Sequence, residues 1–356
     1  MTSQQPAPAD HVRAERDGRV GRLRLDRPRA INALDHPMVL ALHAALDAWA
    51  EDPAVAAVVL TGAGERGLCA GGDIRFFHDS AKQDGTAARA FFRDEYLLNH
   101  RIAGYPKPYV AVMDGLVLGG GVGVSAHGSV RVVTERAQVG MPETAIGFVP
   151  DVGGSWLLAR APGELGTHLA LTAGRMTAAD AIHCGFADHL LPTDRVAAFT
   201  AALAELEPLD AVREFTVPAG PSELAAERDW IDHCYAADSV EEILDRLTAA
   251  DLPAAKEAAE QIRAKSPTAL KTTLAALRRA RRLPSLAAAL EQEFRIAWAG
   301  LADPDFIEGI RAQVVDKDRN PRWSPAELAG VGEAEVARHF APVPAGQELG
   351  LAVLPD

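Results

Sequence analysis

Cysteine is scarce: Cys69, Cys184 and Cys234 are odd in number, scattered, and form no CxxC pair. That pattern offers neither a disulfide frame nor a zinc site, and fits free thiols in a reducing compartment. No apolar run is long enough to cross a bilayer. Basic residues are outnumbered, with 36 Lys and Arg against 49 Asp and Glu and a net charge of −13. This argues against general binding to nucleic acid or to an anionic membrane. A phosphate-bearing ligand stays open, because a few local donors hold phosphates on an acidic protein. The first residues, MTSQQPAPADH, show neither a basic start nor an apolar stretch, so a soluble cytoplasmic protein is expected. HExxH, Walker A and clusters of metal ligands are missing, as is any repeat at solenoid periods, and no metal site is expected.

What is present reads as an α/β layout followed by helices. At 356 residues the chain is long for one core, so a main domain with a smaller appended part is expected. Residues 1–10 look like a loose polar arm. From His11 to Asp26, Val20, Leu23 and Leu25 alternate with polar residues around Asp17-Gly18, as in a hairpin with one buried face. Met38, Leu42, Leu46 and Trp49 share one side of a helix. Ala54–Thr61 and Tyr109–Met113 are continuous apolar runs, expected as doubly buried strands. A loop over Gly62–Gly72, an amphipathic helix over Ala87–Ile102, a strand at Val130–Thr134, and helices over Trp156–Leu171 and Thr177–His183 complete a strand-then-helix order. The core is therefore expected over residues 11–193. Helical segments near 194–207, 221–235, 239–248, 254–265, 267–282, 284–299 and 303–314, with a last one at Pro325–Phe340, fill residues 194–340. Residues 341–356 are expected as a tail.

Candidate chemistry concentrates between Gly115 and Gly154. Gly119-Gly120-Gly121-Val122-Gly123 leaves backbone N–H groups bare where a helix begins, and the helix dipole favours negative charge there. Ala70-Gly71-Gly72-Asp73 supplies a second glycine loop. Two N–H groups from separate loops meeting at one point make an oxyanion hole, and losing one such donor costs about 3–4 kcal/mol of transition-state stabilisation. Glu143 follows Pro142 at the start of a short helix, and Asp151 lies on a Pro-bracketed turn beyond it. Each feature alone also has a plain structural reading. Glycines serve tight packing, an acid suits a helix start, Pro-Asp suits a turn, and Glu95 could be a solvated helix carboxylate. Together, oxyanion donors and two carboxylates from adjacent elements suggest carbonyl chemistry. Gly62-Ala63-Gly64-Glu65-Arg66-Gly67 matches the dinucleotide-binding GxGxxG, but Leu68–Asp73 continues as loop where that motif needs a helix, so the match is read as false. His127 has no Ser or Cys partner at a recognisable spacing, and Cys69 has no local base to activate it.

With these residues in view, the chain resembles the enoyl-CoA hydratase/isomerase (crotonase) superfamily. The resemblance rests on Ala70–Asp73, Gly119–Gly123, Met141-Pro142-Glu143, and Asp26-Arg27-Pro28 with Asn32-Ala33-Leu34, where Asp26 stands in place of the usual Asn. Phe91–Tyr96, Met141–Gly154, Ser266-Pro267-Thr268 and Glu308–Trp323 make it most similar to the branch that hydrolyses small 3-hydroxyacyl-CoA thioesters, such as 3-hydroxyisobutyryl-CoA in valine breakdown. The resemblance covers about residues 12 to 340. It implies a crotonase-like spiral of ββα turns with a helical C-terminal region, and backbone donors at Gly72 and Gly120 for the thioester oxygen. Family hydratases use two glutamates; Glu143 matches one, and the other falls at Gly123, which has no side chain. Asp151 stands where hydratases usually have glycine and is characteristic of the hydrolase branch. Glu95, Gly120, Glu143 and Asp151 are implied to touch the substrate, and Ala70, Gly71 and Asp73 its CoA part. No cofactor beyond that CoA is implied. A homo-oligomer is expected as an option, since the superfamily favours trimers while this C-terminal region could cover the same surface within one chain. Two competing expectations are an enoyl-CoA hydratase or isomerase and a non-catalytic CoA-ester-binding protein.

Overall fold

The hairpin around Asp17-Gly18 forms as β1 (Val12–Asp17) against β2 (Val20–Leu25). In the computed structural model, which describes residues 11–352 and Leu354, the arm expected over residues 1–10 lies outside the described residues. Next come β3 (Ala57–Gly62), β4 (Tyr109–Met113), β5 (Leu116–Leu118), β6 (Val130–Val133), β7 (Gln138–Gly140), β8 (Arg175–Met176) and β9 (His189–Leu190). One sheet runs β1-β2-β3-β4-β6-β9, parallel from β2 onward. A second, smaller sheet runs β5-β7-β8. Single bridges from Cys69 to Val117 and from Leu34 to Gly72 carry the smaller layer back to earlier turns. Each turn thus gives a strand to the large sheet, a short extended piece to the small one, and then a helix. This is the expected ββα spiral.

Alternation along the strands divides the apolar residues between two layers. Val58, Leu60, Ala111 and Met113 face the main core, while Val59, Val110, Val112, Val130 and Val132 face a second cluster with Phe199, Leu203 and Val212. The second cluster is covered by the helices Val196–Ala202 and Pro208–Phe215. Packing is therefore continuous across residue 193, and the main cluster itself runs from Val12 to Leu349. Residues 341–352 fold back on the body: Val343 and Leu349 are buried, and Leu351 N–H donates to Glu291.

The differences from expectation are local. A helix at Ile74–Ala81 was not anticipated, nor was Pro208–Phe215. The helix expected over Trp156–Leu171 is two, Gly154–Leu158 and Leu165–Thr172, because Pro162 and Gly163 (φ +58) interrupt it. The last helix shrinks to Glu333–Arg338, with Gly330 and Gly332 before it.

Candidate active site

The first loop is built by the Asp26–Leu34 segment. Buried Asn32 accepts from Arg27 N–H (2.9 Å) and donates its amide to the carbonyls of Ala63, Gly67 and Leu68 at 3.0–3.1 Å. This tie keeps Ala63–Gly67 as loop, and the next helix opens only at Ile74, so no dinucleotide fingerprint forms. Leu34 N–H donates to Gly71 O and Asp73 N–H donates to Leu34 O, both at 2.8 Å. With its flanking groups engaged, Gly72 N–H has no acceptor among the described residues. Asp73 departs from expectation. Its carboxylate pairs with Arg27 at 2.8 Å and does not line the cavity, whereas Ala70 and Gly71 do. Its side chain braces the loop.

The second loop places Gly120 opposite. Gly119 N–H donates to Gly140 O (3.1 Å), the helix Gly120–Gly123 starts, and Gly120 N–H is likewise without an acceptor among the described residues. A Cβ built on Gly120 would stand 3.4 Å from Gly72 N and 2.6 Å from Glu95 Oε1. The two free amides are therefore neighbours, and only glycine permits so close an approach.

Three carboxylates close on the same space. Glu143 opens the 3-10 helix Glu143–Ile146, Asp151 follows on the next turn, and Glu95 projects from the buried face of Thr86–Ala103. All three line a cavity of about 280 Å³ together with Ala70, Gly71, Gly72 and Gly120. Glu95 Oε1 and Glu143 Oε2 are buried without a partner among the described residues. Tyr96 hydroxyl donates to Asp151 Oδ2 at 2.7 Å. Burial raises the proton affinity of each acid, and repulsion from neighbouring carboxylates adds to it for Glu95 and Glu143. Glu95 is held well above the usual carboxylate range by desolvation and then by Asp151 and Glu143; Glu143 likewise by desolvation and then by Asp151. Asp151 is pushed by burial to about 7, with the Tyr96 hydrogen bond opposing the rise. Acids whose proton affinity is raised by burial, set beside free amide donors, are equipped for acid–base and nucleophilic work on a carbonyl.

The cavity's apolar wall is a run of phenylalanines. Phe92 stacks on Phe77 at 4.8 Å and on Phe148 at 5.7 Å, and Phe148 lies 4.8 Å from Phe306. Gln313, from the π-turn Arg311–Val315, and exposed Arg175 complete the lining. At position 123 there is no room for a hydratase-type glutamate. A Cβ there would lie 2.7 Å from Val152 Cβ and 2.8 Å from Asn99 Nδ2.

Tyr96 and Glu293 join the site without a motif that marks them. Tyr96 had a signal in its i+1 position to Glu95 on an otherwise apolar face. Glu293 had one too, as a charge in the stripe Leu290, Phe294, Ala297. His127 is no base: its Nε2–H donates to Val152 O (2.8 Å), and burial lowers it to about 4, so it is neutral. Cys69 is no nucleophile, since burial pushes its thiol to about 12.

A spiral of ββα turns presenting free glycine amides and buried acids to one pocket defines a class. The chain belongs to the enoyl-CoA hydratase/isomerase family, whose profile matches residues 20–340. Among named relatives it is 38% identical to the mitochondrial 3-hydroxyisobutyryl-CoA hydrolase of Danio rerio, over 92% of this chain and 88% of that one. The Homo sapiens protein of the same name is also 38% identical, over 93% and 89%. Among solved structures it is similar to a carnitinyl-CoA dehydratase from Mycobacterium thermoresistibile (52% identity, TM-score 0.93, 96% of this chain and 99% of that one). It is also similar to an enoyl-CoA hydratase from Rhodobacter sphaeroides (42%, TM-score 0.90, 95% and 99%).

Proposed function

We propose that this chain hydrolyses a small 3-hydroxyacyl-CoA thioester, namely 3-hydroxyisobutyryl-CoA, to 3-hydroxyisobutyrate and CoA, a step of valine catabolism. Relatives named for that activity align over nearly the whole chain. The single observation that carries the reading is the pairing of Asp151 with Glu143 on a cavity whose position 123 is closed to a second hydratase glutamate. The names of the two solved structures favour a second reading, hydration or dehydration of a CoA ester, in which Glu95 would partner Glu143.

In the hydrolytic reading, Gly72 and Gly120 N–H groups receive the thioester oxygen and stabilise it as charge develops in the tetrahedral state. Ionised Glu143 either takes a proton from water as it adds to the carbonyl carbon, or adds itself to give a mixed anhydride that water then opens. In both routes the C–S bond breaks, a C–O bond to the acyl carbon replaces it, one water is consumed, and the thiolate leaves with a proton. Asp151 orients the water and shares protons with Glu143, while Glu95 receives the substrate's 3-hydroxyl. Ala70 and Gly71 border the CoA end of the pocket.

A panel of 3-hydroxyacyl-CoA and enoyl-CoA esters tests this, with free thiol and enoyl absorbance followed in parallel. Thiol release fastest from 3-hydroxyisobutyryl-CoA is expected. Loss of the conjugated enoyl signal without thiol would establish the second reading instead.

A further inference from the structure

A fourth buried carboxylate reaches the site from the helical region. Glu293 lies on the helix Leu286–Gly300, fully buried among apolar neighbours of the same stripe. Its Oε2 accepts from Gly153 N–H at 2.6 Å, and its Oε1 accepts from Ser155 N–H at 2.9 Å and from the Ser155 hydroxyl. All these bonds go to the two residues that frame the end of one turn, 151–155. Burying a carboxylate is costly unless hydrogen bonds compensate it, so a carboxylate kept here has a task in that turn.

The turn is under strain. Val152, a β-branched residue, sits at φ +52, a conformation that L side chains rarely adopt, and Gly153 follows at φ +78. Gly154 N–H closes on Asp151 O at 2.6 Å, and His127 holds Val152 O from the other side. With the peptide groups fixed, the Asp151 side chain is directed between the Tyr96 hydroxyl and the cavity. Gly153 stands at the N-terminal cap of Gly154–Leu158 and has no side chain to cap it, so Glu293 takes that place from 140 residues away in sequence.

We propose that Glu293 is a positioning residue for the hydrolysis: by gripping Gly153 and Ser155 it holds the strained turn that aims Asp151 at the carbonyl beside Glu143. The proposal rests on the reading that Asp151 serves turnover. It makes the helical region a working part of the active site, joined to it by hydrogen bonds as well as by apolar packing.

A double-mutant cycle on the full chain tests it, with thiol release from 3-hydroxyisobutyryl-CoA as the readout. Glu293→Gln keeps the shape but offers one acceptor oxygen where three donors converge. It is expected to lower kcat about a hundredfold with KM little changed, the scale of effect of a slightly misplaced reacting group. Ser155→Ala, which keeps both amide bonds, is expected to lower kcat about tenfold. In an Asp151→Asn background each change is expected to cost less than about threefold more, because the residue it positions is already disabled. Losses as large in that background as in the native one, or unchanged kcat in both single variants, would overturn the assignment while leaving the proposed function intact. Native-like turnover of Asp151→Asn itself would overturn both. Where Glu293→Gln does not fold, the Ser155–Asp151 cycle decides between the same outcomes.

Discussion

The two halves of the molecule contribute different things to one cavity. The spiral, up to about residue 193, supplies short glycine-rich turns whose backbone amides are left free, and the three carboxylates Glu95, Glu143 and Asp151. The helical half supplies shape and support. Phe306 extends the apolar wall, Gln313 borders the opening, and Glu293 bonds to the turn that carries Asp151. The contrast teaches where reactive geometry comes from. A β-turn can present a bare N–H at a chosen point because its neighbours bond elsewhere, whereas a helix interior uses up its own amides. Changes in the spiral, and at Glu293 which braces one of its turns, should therefore act on kcat, and changes in the helical lining of the cavity, Phe306 and Gln313, mainly on KM.

The sharpest break of that contrast is Glu143→Gln. Turnover is expected to fall about 10³-fold while CoA-ester binding persists, measured by steady-state thiol release and by calorimetric titration. Near-native turnover would remove the chemistry from the spiral. Next comes Gly120→Ala, whose Cβ would stand 2.6 Å from Glu95 Oε1 and crowd the free amide of Gly72. A loss of a few hundredfold in kcat is expected, on the scale of losing one oxyanion donor.

Asp151→Asn should lose about 10²-fold in kcat and, at the same time, gain stability at alkaline pH. Folding raises the proton affinity of Asp151 from 3.8 to about 7, chiefly by burial. The native state therefore binds more protons than the unfolded chain between about pH 4 and pH 7, and stability falls as pH rises through that window. Asparagine removes this dependence. The variant's melting temperature should exceed the native one at pH 8, and the gap should close at pH 4. A constant gap in scanning calorimetry would show that the buried carboxylate is not held as described.

The smallest effect is expected from the helical lining of the cavity. Gln313→Ala should raise KM by about tenfold or less with kcat little changed, the worth of one hydrogen bond. A fall in kcat as large as the fall in kcat/KM would place Gln313 among the reacting groups and blur the division.

Much of this arrangement was legible in the chain itself, because it depends on local rules. Continuous apolar runs became β3 and β4, and the glycine loops singled out at 70–73 and 119–123 both reach the cavity. The small sheet was not legible, since β5, β7 and β8 are two or three residues long and carry no periodicity. Asp73 looked like part of the ligand loop because proximity in sequence says nothing of which way a side chain turns; Arg27, 46 residues away, claims it. Glu293 went unassigned for the opposite reason. Its partners lie 138 and 140 residues earlier, and only the packing of Leu286–Gly300 against the spiral brings them together.

The most direct test is a structure of the Glu143→Gln variant holding 3-hydroxyisobutyryl-CoA. The thioester oxygen is expected within about 2.7–3.1 Å of both Gly72 N and Gly120 N, with residues 143 and 151 on either side of the carbonyl carbon. An ester whose oxygen meets neither amide, or whose carbonyl lies beyond reach of residue 151, would contradict the account.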